Sequence, residues 1–228
     1  MPQRRRTTFA LSALVVCLAA VAALAVSNRT ATAGDSPHHS HHSHSTKLSP
    51  KAVELQSGMR KLWEDHITWT RLAIISLLGD TPDTQATVGR LLQNQTDLGN
   101  AVKPFYGDEA GNQLTALLRE HILIAAEVIA AAKAGDQAKL ADAQARWEAN
   151  ADEIAAFLNR ANPRFWKLPV MKAEMRMHLK LTTDEAVARL QGNWSADVAA
   201  YEKVHTHMLH FSDVLSDGLM KQFPRRFR

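Results

Sequence analysis

From about residue 50 onward, apolar residues recur every three or four positions, which is the period of one face of an α-helix. The clearest case surrounds His66. Seven side chains fall within about 60° of it on a helical wheel: Leu55, Met59, Leu62, Trp63, Thr70, Ala73 and Leu77. A histidine therefore occupies the centre of an apolar face. No segment alternates with a period of two, so the sequence predicts an all-α protein.

Capping and helix-breaking residues divide this pattern into separate helices. We expect helices over about 50–78, 83–102, 108–134, 136–159, 169–180, 182–190 and 195–222. The predicted breaks include Gly79, the segment 103–107, Gly135 and Pro163.

Part of the helical pattern repeats at an offset of about 55–56 residues. His66 corresponds to His121, and Asn94 corresponds to Asn150 within the shared spacing Arg-x3-Asn-x2-Asp/Glu. A fragment of the pattern recurs in the last predicted helix. The sequence therefore predicts an up-down helical bundle, formed from a duplicated helical hairpin and a long C-terminal helix.

Polar residues lie near the midpoints of these helices, and midpoints share one level in an up-down bundle. His121 lies at the centre of its apolar face, as His66 does, and His205 lies within the apolar face of the last helix. We expect one buried layer of histidines and asparagines, with Tyr201 beside it: His66, Asn94, His121, Asn150 and His205.

Two functions fit such a layer. His66, His121 and His205 could bind zinc or copper with an open fourth position, supported by Asn94, Asn150 and Tyr201, and a haem with two histidine ligands is a second version. Alternatively, the layer only specifies how the helices pack, in a non-catalytic structural or interaction module. No nucleophile motif accompanies the histidines, so an enzyme is not favoured.

A second candidate metal site is the spacing Met171-x3-Met175-x2-His178, which puts three side chains on one helical face. Thioethers and imidazole together suit Cu(I). The alternative is that the methionines pack a short helix against the bundle.

Residues 1–33 are typical of an export signal. Arg4, Arg5 and Arg6 precede an uncharged apolar run over 10–26, and Ala31-Thr32-Ala33 predicts a cleavage site. An uncleaved membrane tether over 10–26 is the alternative. We therefore expect a secreted or periplasmic protein, or one held at the cell surface.

Residues 34–50 form a polar linker that we expect to be disordered. It contains a tract that should bind divalent metal loosely, unless it is an expression tag: His38, His39, His41, His42 and His44. The folded domain is expected over 51–224, followed by a basic tail over 225–228.

Charge and cysteine content limit which partners and which metal ligands the chain can have. Residues 1–33 hold four of the 27 lysines and arginines and none of the 23 acidic residues, so the chain without them has no net charge. We therefore expect no nucleic-acid partner. Cys17, the only cysteine, lies in the signal, so a metal site beyond it must use His, Asp, Glu or Met.

Three short motifs carry a resemblance to a family. They are Trp63-x2-His66-x2-Trp69-Thr70-Arg71, Pro104-Phe105-Tyr106-Gly107 and Gln222-Phe223-Pro224. With them, residues 50–224 resemble a family of bacterial, often exported, helical-bundle proteins. The resemblance implies the helical fold and adds no function to it.

Overall fold

The computed structural model describes residues 48–228, and this part of the chain contains helices and no strand. The predicted all-α fold is therefore confirmed. The elements are α1 (Pro50–Gly79), α2 (Thr84–Ala134), α3 (Gln137–Ala161), α4 (Leu168–Leu190), α5 (Trp194–Gln222) and a 3₁₀ turn (Pro224–Phe227).

Helix α2 is two helical arms joined at Gly107. This glycine has φ 84° and ψ 171°, a backbone conformation that no helix contains. The first arm (84–106) and the second arm (108–134) fold back on each other, because Gly99 and Gly111 bring their backbones into contact. The break predicted between 103 and 108 is therefore confirmed.

The glycine contact makes a testable prediction. A β-carbon on Gly99 would lie 2.6 Å from the carbonyl oxygen of Gly111, and backbone cannot rotate away as a side chain can. We expect Gly99→Ala to lower the free energy of unfolding by about 2–3 kcal/mol, measured by urea denaturation.

The matched control is Gly89→Ala on the same arm, where a β-carbon would meet nothing within 4 Å. Alanine is the better helix former, so this variant should be about 0.5–1 kcal/mol more stable than wild type. Equal stability of Gly99→Ala and Gly89→Ala would contradict the close crossing of the two arms.

The two arms of α2 and the four other helices form three helical hairpins. Hairpin 1 is α1 with the first arm of α2, hairpin 2 is the second arm with α3, and hairpin 3 is α4 with α5. Each helix packs on the next, and α5 packs back on α1, so the ring of helices is closed. The large side chains that point inward form one continuous core, including Trp63, Leu98, Ile154, Trp166, Met208 and Phe211.

Capping residues explain where several helices begin. Ser49 accepts a hydrogen bond from the backbone N–H of Ala52, so α1 begins at the end of the predicted linker. Asp136 and Asn193 cap α3 and α5 in the same way. Gly135, at φ 69°, ends α2 in the left-handed conformation that favours glycine.

One prediction about the C-terminal third needs correction. Helix α4 is continuous through 168–190, so Thr182-Thr183-Asp184-Glu185 does not begin a new helix. The side chains of Thr182 and Glu185 are buried in the bundle instead. The basic tail also packs against the fold, because Arg226 donates a hydrogen bond to the carbonyl of Pro104 and stacks on Phe105.

The expected signal, the tether and the histidine tract all lie outside the described residues. Among the helices of residues 48–228, none is both long and apolar enough to cross a membrane.

Candidate functional site: a buried histidine layer

Three histidines meet in the core, one from the first helix of each hairpin. They are His66 on α1, His121 on the second arm of α2 and His178 on α4, and at most 5% of each is exposed. The ring centroids of His66 and His178 lie 5.8 Å apart, and those of His121 and His178 lie 6.0 Å apart. We call these three residues the histidine layer. His178 stands between the other two.

His121 is fully hydrogen-bonded by the protein. Its Nδ1 lies 2.7 Å from Oδ1 of Asn150, and its Nε2 accepts a hydrogen bond of 3.1 Å from the indole N–H of Trp147. A neutral imidazole protonated on Nδ1 satisfies both contacts. No lone pair of His121 is left for another ligand.

The hydrogen bond of His66 to Gln95 is made on its Nδ1 side. Nε2 of Gln95 lies 3.3 Å from Nδ1 of His66, and it is also within reach of the carbonyl of Leu91 and of Oδ1 of Asn94. Asn94 lies within hydrogen-bonding reach of the His66 ring as well. The edge of the Trp63 ring covers the histidine, with centroids 5.4 Å apart.

His178 has the weakest hydrogen bonding of the three. Its one contact is between Nδ1 and Oγ1 of Thr182, at the long distance of 3.5 Å. The hydrogen bonds of His66 to Gln95 and of His178 to Thr182 are both made at Nδ1 and are both long, at 3.3 Å and 3.5 Å.

One contact recurs in all three hairpins. In each hairpin, a side chain on the second helix donates a hydrogen bond to the backbone carbonyl four residues before the layer histidine. Asn94 donates to Leu62 in hairpin 1, Asn150 donates to Leu117 in hairpin 2, and His207 donates to Glu174 in hairpin 3. In each hairpin, this bond fixes the position of the second helix along the axis of the first. Together, these bonds bring the three histidines to one level.

His205, which we expected in the layer, lies elsewhere. Its Nε2 donates a hydrogen bond of 2.7 Å to Oε1 of Glu64, in a groove between α5 and α1 where both side chains are partly exposed. The buried face of α5 is formed by Val204, Met208 and Phe211. His205 follows Val204 and is therefore turned about 100° away from that face.

Tyr201 also lies away from the layer. Its ring packs under the guanidinium of Arg71, 4.7 Å from the cation, and beside His205. Asn94 and Asn150 do lie beside the layer, as expected. Met171 and Met175 are buried in the core on the same helix as His178.

Burial sets the charge state of the layer. Removal from water lowers the pKa of His66 and of His121 to about 4, and the neighbouring His121 lowers that of His66 further. Burial lowers the pKa of His178 well below its usual range, and His66 and His121 add to the effect. All three rings are therefore neutral near pH 7 and present lone pairs rather than positive charge.

A buried ion network, which the sequence pattern did not predict, lies at another level of the bundle. NH1 of Arg71 donates to Oε1 of Glu185 at 2.7 Å and to Oδ1 of Asp197 at 2.8 Å. Arg189 donates to Oδ2 of Asp197 at 3.1 Å. Both carboxylates are almost fully buried.

The two carboxylates of this network titrate differently. Burial raises the pKa of Glu185 to about 7, against the opposing effect of Arg71. Burial would raise the pKa of Asp197 as well, but hydrogen bonds from Arg71 and Arg189 outweigh it, and the pKa is lowered. Asp197 is therefore the charged partner of both arginines near neutral pH.

A core cavity lined by Trp63, Phe211 and other apolar side chains has a volume of about 30 Å³, roughly the space for one or two waters, and none of the layer histidines lines it. As the side chains stand in residues 48–228, no group of three or more His, Cys, Asp or Glu residues is placed to hold a metal ion.

The sequence does contain a signal for the third layer histidine. His121 follows His66, and His178 follows His121, at nearly equal intervals of about 55 and 57 residues. The helix end at Phe223-Pro224 likewise continues the series begun by Pro104-Phe105 and Pro163. Gln95 and Trp147 had no comparable signal, because their roles depend on which helices become neighbours.

No protein-family model matches the chain, and no curated protein or solved structure is similar to it. The function is therefore argued from the site itself.

Proposed function

We propose that this protein is an exported helical bundle that binds one transition-metal ion between His66 and His178. The observation that carries the proposal is the pair of buried, neutral and neighbouring rings whose centroids lie 5.8 Å apart and whose hydrogen bonds, at 3.3 Å and 3.5 Å, both involve Nδ1. Neutral imidazole is a good ligand for zinc and copper. A bound ion would give the two Nε2 atoms a partner inside the core, where a polar atom without one costs about 1–3 kcal/mol.

This ligand pair revises the set predicted from the sequence. His205 is engaged by Glu64, and His121 uses both nitrogens on Asn150 and Trp147. His121 would act as a packed neighbour that holds the ring of His178 in place, since their centroids lie 6.0 Å apart.

A second candidate function is a non-catalytic structural module in which the layer only sets the helix packing. The observation in its favour is His121, which is saturated by protein hydrogen bonds with no ligand at all. The three equivalent side-chain bonds to backbone carbonyls also support a role in setting the register of the hairpins.

The proposal includes two features that rest on sequence alone. Residues 1–33 support export, and an uncleaved run over 10–26 would instead tether the domain to a membrane. The tract over 38–44 would collect metal loosely near the domain. The three equivalent contacts further support a bundle built from three copies of one helical hairpin.

Metal binding is tested best in a chain whose five tract histidines are replaced by serine, so that only the core site remains. We expect one equivalent of zinc or copper ion per chain, measured by elemental analysis after dialysis. His66→Gln and His178→Gln should each remove it, because each deletes one of two ligands.

The control for this test is His205→Gln, which should keep the metal, since His205 lies with Glu64 outside the layer. Circular dichroism of each variant checks that the helices remain. A folded protein without metal, or metal retained in both layer variants, would overturn the proposed site and leave the structural module.

A further inference from the structure

We infer that the ion held between His66 and His178 is Cu(I), with the sulfur of Met175 as a third ligand. This inference rests on the proposed function and names the metal for it. Three features of the layer carry it: the small number of nitrogen ligands, the neutral side chains that hydrogen-bond to the layer, and the position of Met175.

The number of donors is the first feature. The two neighbouring rings offer two imidazole nitrogens, whereas a zinc site takes four ligands, at least three of them from the protein. A distance of 5.8 Å between ring centroids is compatible with one ion bound by a nitrogen of each ring, because each metal–nitrogen bond is about 2.0 Å long. Low coordination numbers suit a soft monovalent ion.

Charge is the second feature. The side chains that hydrogen-bond to the layer are neutral: Gln95, Trp147, Asn150 and Thr182. None supplies a negative charge to compensate a divalent ion. Because the cost of burying an ion rises with the square of its charge, a dry site of neutral ligands favours a monovalent ion over a divalent one.

The third feature is the neighbouring thioether. Met175 is 4% exposed and lies three residues before His178, so the two side chains are neighbours on the buried face of α4. Met171 continues the same face one turn further and is fully buried. Thioether sulfur is a soft ligand that selects Cu(I) among the common ions.

The structure supplies an optical readout for this site. The rings of Trp63 and His66 lie 5.4 Å apart, and those of Trp147 and His121 lie 5.3 Å apart. A copper ion bound at His66 would lie close to the Trp63 indole and should quench its fluorescence. Trp63→Phe should remove most of the quenching and keep the binding.

The experiment titrates the chain lacking the tract histidines with Cu(I), kept reduced by ascorbate under nitrogen, and in parallel with Zn(II). A coloured Cu(I) chelator serves as competitor. We expect one Cu(I) per chain, bound at least 100-fold more tightly than Zn(II). Met175→Leu conserves the side-chain volume and should weaken Cu(I) at least 10-fold without changing Zn(II).

Met177→Leu is the matched control, because Met177 is on the same helix but 47% exposed. It should bind Cu(I) as wild type does. Zinc bound as tightly as Cu(I), or an unchanged Cu(I) affinity in Met175→Leu, would overturn this inference while the metal site of the proposed function stands. No binding of either ion would overturn both.

Discussion

The metal-free protein is expected to lose at least about 2 kcal/mol of stability between pH 7.5 and pH 4.5. The pKa of His66 and of His121 is about 4 in the fold, against 6.5 in an unfolded chain. As the pH falls below 6.5, the unfolded state binds protons that the folded state does not, so unfolding becomes easier. Each of these two histidines contributes a loss of about 2–3 kcal/mol by pH 4.5. Burial lowers the pKa of His178 as well, so its contribution has the same sign.

Glu185 has the opposite effect, because it makes the folded protein more stable as the pH falls. Its pKa is about 7 in the fold and 4.5 when unfolded, so the folded state binds the extra proton as the pH falls from 7. It therefore adds about 3 kcal/mol of stability by pH 4.5, which offsets roughly one histidine. The histidines together outweigh it, so the net change is a loss of stability.

Urea denaturation at pH 7.5, 6.0 and 4.5, in the presence of metal chelators, measures this loss. Glu185→Gln should make the loss larger, because it removes the opposing group. His121→Gln should make it smaller, while His210→Gln, at an exposed position, should behave as wild type. A wild-type stability that does not change over this range would show that the layer is not buried in the neutral form.

Arg71→Leu is expected to destabilise the protein by about 3–5 kcal/mol at pH 7.5. Removing the guanidinium leaves Glu185 without its cation and takes from Asp197 one of its two arginines. Both carboxylates remain buried, and a buried charge without a partner is costly. The loss should shrink at pH 5, where Glu185 can bind a proton and become neutral.

Arg60→Leu is the matched control on the same helix. Arg60 pairs with Asp213 at the surface, where the two side chains are 51% and 30% exposed. Exposed ion pairs contribute about 0–1 kcal/mol, so this variant should change little. Equal losses in Arg71→Leu and Arg60→Leu would contradict the burial of the Arg71 network.

Much of the fold was accessible from the sequence because helix formation is local. The period of apolar residues predicted the helices, and Pro104 and Gly107 correctly predicted the break within α2. The misplaced boundary at Thr182 shows the limit of that approach. A Thr-Thr-Asp-Glu run is typical of a helix start, but here burial of Glu185 against Arg71 makes the same residues part of α4.

The candidate site was predicted in part. His66, His121, Asn94 and Asn150 were correctly placed together, because each lies on the apolar face of its own helix. His205 was placed wrongly, because the buried face of α5 is centred on Val204 and Met208. Val198, which lies seven residues before His205 and on the same side of the helix, is 51% exposed.

The sequence by itself determined the helices, their breaks and which side chains face inward, because these depend on residues within a few positions of one another. Only the tertiary structure decided that His178 rather than His205 joins the histidine layer, that His121 is saturated by Asn150 and Trp147, and that Arg71 serves two buried carboxylates. A helical wheel gives a direction around one axis. It does not say which helix lies in that direction or at what height, and those two quantities decide which polar groups are paired and which are free.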